Sequence, residues 1–399
     1  MKKTLLICDV HPLPENTGAN IRTMNFVRFF KQYGSVDIVY TYPSPDGTQD
    51  DAMFENRYPL ERKAYPRHFI GRLRTFLEGQ PYPVRPYTDD GRDLLNSAIK
   101  SNDYDYILVR YVVNTYCLFG LPTKEKRKII LDFDDVVSGS LYETFFDDRK
   151  SLYKKMIRAM NRNLLLRYEK KCLDLNVSLF CSEKDKGRTG GDRKSSFVVP
   201  NVYASETFEN YEFGDGYDNN NELLFLGALH YSPNIEGLRW FIESIYPIFK
   251  REHPDAKLLV VGHSPGDEVA KMCKTTEGVE LYANVADVKK YYRRCKAIVV
   301  PLLSGGGTRI KILEAAHAGR PIISTPLGAE GLDLVDERHV LLFHNAEEFS
   351  LRFKEIGNKK RYHSLVSNAK EFVFHNYSVK NFDESMERVL HKIDGKHES

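Results

Sequence analysis

The chain has only six cysteines and no long apolar run, and each shortage excludes something. None of Cys8, Cys117, Cys172, Cys181, Cys273 and Cys295 forms a C-x-x-C pair, so no thiolate zinc site is expected, and a chain of 399 residues needs no disulfide staple. No stretch approaches the roughly 18 apolar residues of a membrane-spanning helix. The apolar start Leu5–Cys8 is cut off by Asp9, too short for an export signal, which points to a cytoplasmic location. An excess of one charge is also missing. The 58 Lys and Arg nearly balance 55 Asp and Glu, which argues against a dedicated nucleic-acid binder. Neither a G-x-x-x-x-G-K-[ST] loop nor a G-x-G-x-x-G fingerprint is present.

What the chain does have is short β-branched and aromatic runs separated by helix-like stretches. Thr4–Val10, Val36–Tyr42, Tyr106–Arg110, Lys128–Phe133, Val177–Ser182 and Ser196–Pro200 read as strands in the first half. A polar segment around 203–222 interrupts the pattern, which restarts with Asn221–Gly227, a helix over Ile235–Arg251, and Ala256–Gly262. Strands alternating with helices imply parallel sheets with right-handed crossovers. The expected class is α/β, with two Rossmann-like domains at 1–205 and 206–375 and a last helix within 376–399. Ligands then belong outside the C-terminal strand ends, with the best pocket in a cleft if the domains face each other.

The most informative segment is residues 301–332, PLLSGGGTRIKILEAAHAGRPIISTPLGAEGL. A strand runs into Gly305, Gly306 and Gly307, and Thr308 is placed to cap a helix starting near Arg309. Three glycines allow close backbone approach to a ligand, and a helix N-terminus offers N–H groups to phosphate. Arg309 and Lys311 add positive charge, and Glu314 can accept hydrogen bonds from vicinal hydroxyls such as those of a ribose. The next strand ends at Gly328 and Glu330, where a second backbone approach and a second carboxylate meet the same sheet edge.

In the first half, strand Thr4–Val10 leads into His11, Glu15 and Gly18, with Arg22 in the first turns of the next helix. Asp132, Asp134 and Asp135 cluster at another strand end, where burial without partners is costly. Alternation puts Asp132 and Asp134 on one face. A carboxylate here can orient a hydroxyl or help remove its proton, with His11 and Glu15 as rivals for that role. Arg149–Lys171 is a basic helical stretch that can attract an anionic membrane surface, and Arg57–Arg74 is a second.

This succession of motifs resembles family 4 of the retaining, nucleotide-sugar-dependent glycosyltransferases. It runs from HPLPENTGANIRTMNFVRFF and ILDFDDV through FLGALHYSPNIEGLRWF to GGGTRIKILEAAHAGRPIISTPLGAEGL. The resemblance implies a GT-B type fold, a UDP- or GDP-linked sugar donor, no cofactor and no metal, and a glycan or lipid-linked acceptor of cell-surface polysaccharide synthesis. Where the acceptor is lipid-linked, peripheral association of the basic stretch Arg149–Lys171 with the inner face of the plasma membrane would hold the growing glycan there. Glu314 matches the glutamate that binds the nucleotide ribose. Gly18, Gly227, Gly305, Gly306, Gly307, Thr308, Arg309, Gly328 and Glu330 fall on the donor side, and His11, Glu15, Arg22, Asp132 and Asp135 on the acceptor side.

Two departures stand out. The first glutamate of the family's pair, eight positions before Glu314, is Gly306 here. The basic pair that follows the first strand of the donor domain is replaced by Ala228-Leu229-His230-Tyr231-Ser232-Pro233-Asn234, so Arg309 and Lys311 are the cations assigned to the leaving diphosphate. Asp134 takes the position of a family histidine and is assigned the acceptor hydroxyl. Asp132-Phe133-Asp134 spells a metal-binding D-x-D but lies away from the donor loop. The family mechanism is front-side attack, in which the departing phosphate takes the acceptor proton. A degenerate nucleotide-sugar-binding scaffold is the alternative that Gly306 leaves open. A glycoside hydrolase would need paired carboxylates but neither the glycine loop nor Arg309.

Overall fold

The computed structural model describes residues 1–15, 17–42, 51–64, 81–82, 84–136, 138, 152–190, 194–202, 211–218, 221–306 and 309–395. It divides into two units, Met1–Asn201 with Phe382–Ser399, and Val202–Asn381.

The first unit is built on β1 (Lys2–Ile7), β2 (Gly34–Tyr40), β3 (Arg57–Pro59), β4 (Tyr106–Arg110), β5 (Ile129–Asp132), β6 (Val177–Phe180) and β7 (Ser196–Val198). Their order is β3-β2-β1-β4-β5-β6-β7, with every pairing parallel. Leu5, Ile7, Val39, Ile107, Val109, Ile129 and Leu131 are buried in one cluster, and the intervening Leu6, Ile38, Leu108 and Ile130 are buried too, the apolar saturation expected of strands covered on both faces. Helix Gly18–Lys31 follows β1. Thr17 caps it by accepting the Asn20 N–H, which satisfies one of the orphan donors at its start.

The chain returns to this unit at its end. In helix Val379–Ile393, the Phe382 ring lies 5.1 Å from Phe26 and 6.4 Å from Phe29. Beyond the helix, Asp394 accepts from the Tyr106 hydroxyl at 3.1 Å.

The second unit holds β8 (Glu222–Leu226), β9 (Lys257–Gly262), β10 (Val279–Ala283), β11 (Ala297–Val300), β12 (Ile322–Ser324) and β13 (Leu341–Leu342). The order β10-β9-β8-β11-β12-β13 is again parallel throughout. Each sheet therefore reverses its winding beside its first strand, at β1/β4 and at β8/β11. Such reversals are where open α/β sheets bind ligands.

One element differs from expectation. The segment read as a single helix over Ile235–Arg251 is helical over Ser232–Trp240, passes through a five-residue π turn at Phe241–Ile245, and resumes at Tyr246–Glu252. Pro247 supplies the reason. It has no N–H to donate, and the wider turn shifts the hydrogen-bond register ahead of it, with Tyr246 N–H bonded to Phe241 O. Trp240 stacks on Phe343 at 5.8 Å, part of the packing around this turn.

Candidate functional site

In the second unit the reversal is framed by the loops after β8 and β11 and by helix Ile310–His317. Ile310, Ile312, Leu313, Ala315 and Ala316 anchor that helix in the core. Lys311 and Glu314 are three positions apart and so share a face. Gly319, with φ of 66°, follows the helix in the left-handed conformation that ends helices.

Lys311 reaches across to the end of β8. Its Nζ donates to Asn234 Oδ1 at 3.2 Å and lies 5.3 Å from the centre of the Phe225 ring. Asn234 is fixed in turn by donating to Ala228 O at 3.0 Å. Gly227 is required by this packing. A Cβ there would stand 2.8 Å from Asn234 Nδ2 and 3.0 Å from Lys311 Nζ. Glu314 is 8% exposed and accepts from the Tyr292 hydroxyl at 2.8 Å.

Burial pulls the Lys311 ammonium down to about 7, helped by the Arg309 charge and opposed by Glu314. Burial pushes the Glu314 carboxyl up to about 7, against the stabilising effects of Tyr292 and Lys311. A lysine and a glutamate both displaced toward neutrality at one strand edge are the kind of pair that marks binding or catalytic sites.

Arg309 turns the other way. Its guanidinium donates to the carbonyls of Gly305, at 2.7 Å through Nη2, and of Gly306 through Nη1. It braces the glycine loop, while Lys311 is the cation at the β8 edge. Gly305 has φ of 101°, which a side chain would resist. Gly328 serves close packing, since a Cβ there would lie 2.4 Å from Val300 O and from Ser324 Oγ. Glu330 is half-buried in the following turn. Gly307 and Thr308 lie outside the described residues, and the helix N-cap position is Arg309.

In the first unit the reversal carries four charges. Arg22 grips Asp132 through both carboxylate oxygens, at 3.0 and 2.6 Å, and also donates to Val199 O and Asn201 Oδ1. Arg110 donates to Asp132 and, at 2.9 Å, to Asp134. Arg22, Arg110 and Asp132 are buried, while the Asp134 side chain keeps 14% exposure. Burial pushes the Asp134 carboxyl up, but Arg110 and Arg22 outweigh it and hold it below the usual carboxylate range. A carboxylate held ionised this firmly is a weak proton acceptor and a good fixed hydrogen-bond acceptor. Tyr111 and Asp134 both carry positive φ, 66° and 53°, strain of the sort that persists where the surroundings over-determine it.

The other expected acceptor-side residues are less poised. Arg22, read as a cation within reach of an anion, is committed internally because Asp132 needs a partner. Glu15 pairs with Arg28 on helix Gly18–Lys31. His11 is buried edge-on against Tyr40 and Phe54, its Nδ1 accepting from Leu13 N–H at 3.4 Å, and burial lowers its pKa. Gly18 is exposed as the first residue of its helix, and Asp135 is half-buried in the turn after β5. Of the basic stretches, residues 149–151 and 65–74 lie outside the described residues.

Sequence reading passed over Tyr292, Asn234, Arg110 and Arg320. The only available signal was Asn234 in the loop after a glycine-terminated strand, since the other contacts are set by strand order. Among the described residues no group of three or more His, Cys, Asp or Glu could hold a metal ion, and no helix is long and apolar enough to cross a membrane.

These two parallel sheets, each with its charged reversal, define a protein of the two-Rossmann-domain GT-B fold. Residues 220–357, which contain the whole Lys311–Glu314 site, match the family model Glycosyl transferases group 1. The chain is 25% identical to an uncharacterised 44.6 kDa protein in the cps region of Klebsiella pneumoniae, over 96% of this chain and 97% of the relative. It is similar in structure to sucrose-phosphate synthase from Thermosynechococcus elongatus, with a TM-score of 0.72 at 14% identity over 100% of both chains. It is similar also to Anabaena HepE in complex with UDP-glucose, with a TM-score of 0.67 at 13% identity over 98% of this chain and 99% of that one.

Proposed function

We propose that this chain is a retaining glycosyltransferase that moves a sugar from a UDP- or GDP-linked donor to a glycan or lipid-linked glycan acceptor in cell-surface polysaccharide synthesis. The observation that carries the reading is Lys311 Nζ seated at the end of β8 beside Gly227, on the same helical face as Glu314. The Glycosyl transferases group 1 match over this segment and the UDP-glucose complex of a neighbour of the same fold support it.

In this reading Glu314 accepts from the ribose hydroxyls and Lys311 neutralises the diphosphate. The bond between the sugar's anomeric carbon and the phosphate oxygen breaks, and the acceptor oxygen bonds to that carbon from the same face. The acceptor proton passes to the departing diphosphate, so no protein base is needed. Asp134, ionised and fixed by Arg110, orients the acceptor hydroxyl. Arg309 keeps the Gly305–Gly306 backbone in place for the donor. Lys311 thus takes the electrostatic role first shared with Arg309, because a cation at the leaving group lowers the barrier most where water is excluded.

The test is donor-dependent turnover with UDP-, GDP-, ADP- and CMP-sugars and a membrane-lipid extract, following nucleotide release and glycan transfer separately. Transfer from one donor, lost in Lys311→Met, supports the reading. Sustained nucleotide-sugar binding without transfer to any acceptor would favour the scaffold alternative. Basic residues of 149–171 are proposed to hold the protein at an anionic membrane surface on the cytoplasmic side. Failure to float with vesicles at any anionic-lipid content would refute that part alone.

A further inference from the structure

We propose that Tyr292 is the positioning residue of the nucleotide site: its hydroxyl fixes the Glu314 carboxylate as the acceptor for ribose hydroxyls, and Arg320 fixes Tyr292. The inference rests on the reading of Glu314 as the ribose-binding residue and adds what makes that residue competent.

Glu314 stands on a helix whose neighbouring positions are Leu313, Ala315 and Ala316, all buried. A carboxyl in such surroundings tends to keep its proton, and a protonated carboxyl is a poorer acceptor for two vicinal hydroxyls. Tyr292 offsets this from a different helix, Lys289–Arg294, by donating to Glu314 Oε2 at 2.8 Å. Its ring is fully buried, and burial together with the Glu314 charge raises the phenol pKa well above its usual value, so the hydroxyl stays a donor. The contact occupies Oε2. Oε1 makes no hydrogen bond among the described residues and is the oxygen left for a ligand hydroxyl.

The backing comes from Arg320. It is 1% exposed and pairs with no carboxylate among the described residues. Its Nε donates to Tyr292 O at 2.7 Å, and its terminal nitrogens donate to the carbonyls of Phe213, Gly214, Arg293, Ala318 and Gly319. Two of those carbonyls, at 318 and 319, close the helix that carries Glu314, and two, at 292 and 293, close the helix that carries Tyr292. One guanidinium therefore ties the two helix ends together and sets the distance across which phenol meets carboxylate. A site held by such supporting bonds binds without reorganising.

The measurement is a ratio, which a partly unfolded sample does not move. Affinities of the full chain for UDP, GDP and ADP are measured by calorimetry. The tightest is then compared with its 2′-deoxy counterpart in wild type, Tyr292→Phe, Glu314→Gln and the double variant. Wild type is expected to prefer the ribose form by about tenfold or more, the loss seen when a site built to bond a hydroxyl meets a ligand lacking it. Y292F is expected to lose most of that preference, and Y292F/E314Q to lose no more than E314Q alone.

A folded Y292F with the wild-type ratio overturns the inference while leaving Glu314 as the ribose residue. Glu314→Asp supplies a second route, since it withdraws the carboxylate from the phenol by one methylene with Tyr292 in place. An undiminished ratio in E314D also overturns it. If wild type shows no ribose preference, the ribose reading of Glu314 fails first and this inference falls with it, an outcome visible before any substitution is made.

Discussion

At the residue scale the second unit keeps two groups in protonation states they resist. Glu314, raised from 4.5 to about 7, holds a proton in the folded chain that the unfolded chain releases between those pH values. Stability therefore falls as pH rises from about 4.5 to about 7. Lys311, lowered from 10.5 to about 7, has the opposite slope, so stability recovers as pH rises above 7. The unit should be least stable near neutrality. Glu314→Gln removes the acid-side slope. It should raise stability at pH 8 by about 1–3 kcal/mol while weakening nucleotide binding, the trade expected of a strained functional group. Thermal melts at pH 5 and pH 8 check this, and a variant that melts lower than wild type at pH 8 would refute it.

The aspartates of the first unit divide in the same way between stability and function. Asp132 serves two buried arginines, so Asp132→Asn should cost about 3–5 kcal/mol in denaturant unfolding. Asp134 is partly exposed, hydrogen-bonded to Arg110 at 2.9 Å and more distantly ion-paired with Arg22 at 3.7 Å. Asp134→Asn should leave the unit folded and lower transfer kcat/KM on the order of 10²-fold through a misplaced acceptor.

At the element scale the sheet edge of the second unit is made by glycines with different tasks. A Cβ on Gly262 would meet the backbone oxygen of Gly227 at 1.8 Å, and neither strand can give way. A Cβ on Gly227 meets only side-chain atoms, of Asn234 and Lys311. Gly262→Ala should therefore lower stability by about 2 kcal/mol or more, while Gly227→Ala should fold and lose nucleotide affinity as Lys311 is displaced. Equal unfolding free energies for the two variants would contradict this.

The same elements show how far sequence reaches. Gly305, Gly306, Lys311 and Glu314 were legible because strand, glycines, helix and charges follow one another within one local segment. The helix over Ile235–Arg251 was legible, but not its π turn before Pro247, because the flanking apolar periodicity runs straight through it. Tyr292 and Arg320 gave no local signal, and Asn234 gave only its place after a glycine-terminated strand. Asn234 meets Lys311 from 77 positions away because β8 lies next to β11 in the sheet, and Arg320 meets Phe213 from 107 away. The Asp132–Asp134 cluster was visible, but its arginine partners were not, since Arg22 approaches from 110 positions away. That partnership holds Asp134 ionised and fixed in place.

At the scale of the whole molecule the two units have separate cores, and the chain crosses between them twice, at 201–202 and at 381–382. The second crossing lies within the final helix, so the first unit is not complete until the last residues are in place. Phe382 is buried to 1% against Phe26 and Phe29. The helix also brings Asp394 to Tyr106 and within 4.0 Å of Lys2 Nζ. Phe382→Ala removes a large ring from that contact and should cost about 3–5 kcal/mol. The loss should fall on the first unit alone, because none of these partners belongs to the second. Calorimetric melting distinguishes the cases: the transition of the first unit moves down, while the transition that nucleotide binding raises stays where it was. If both moved together, the units would unfold as one cooperative block, and the final helix would stabilise the second unit as well as the first.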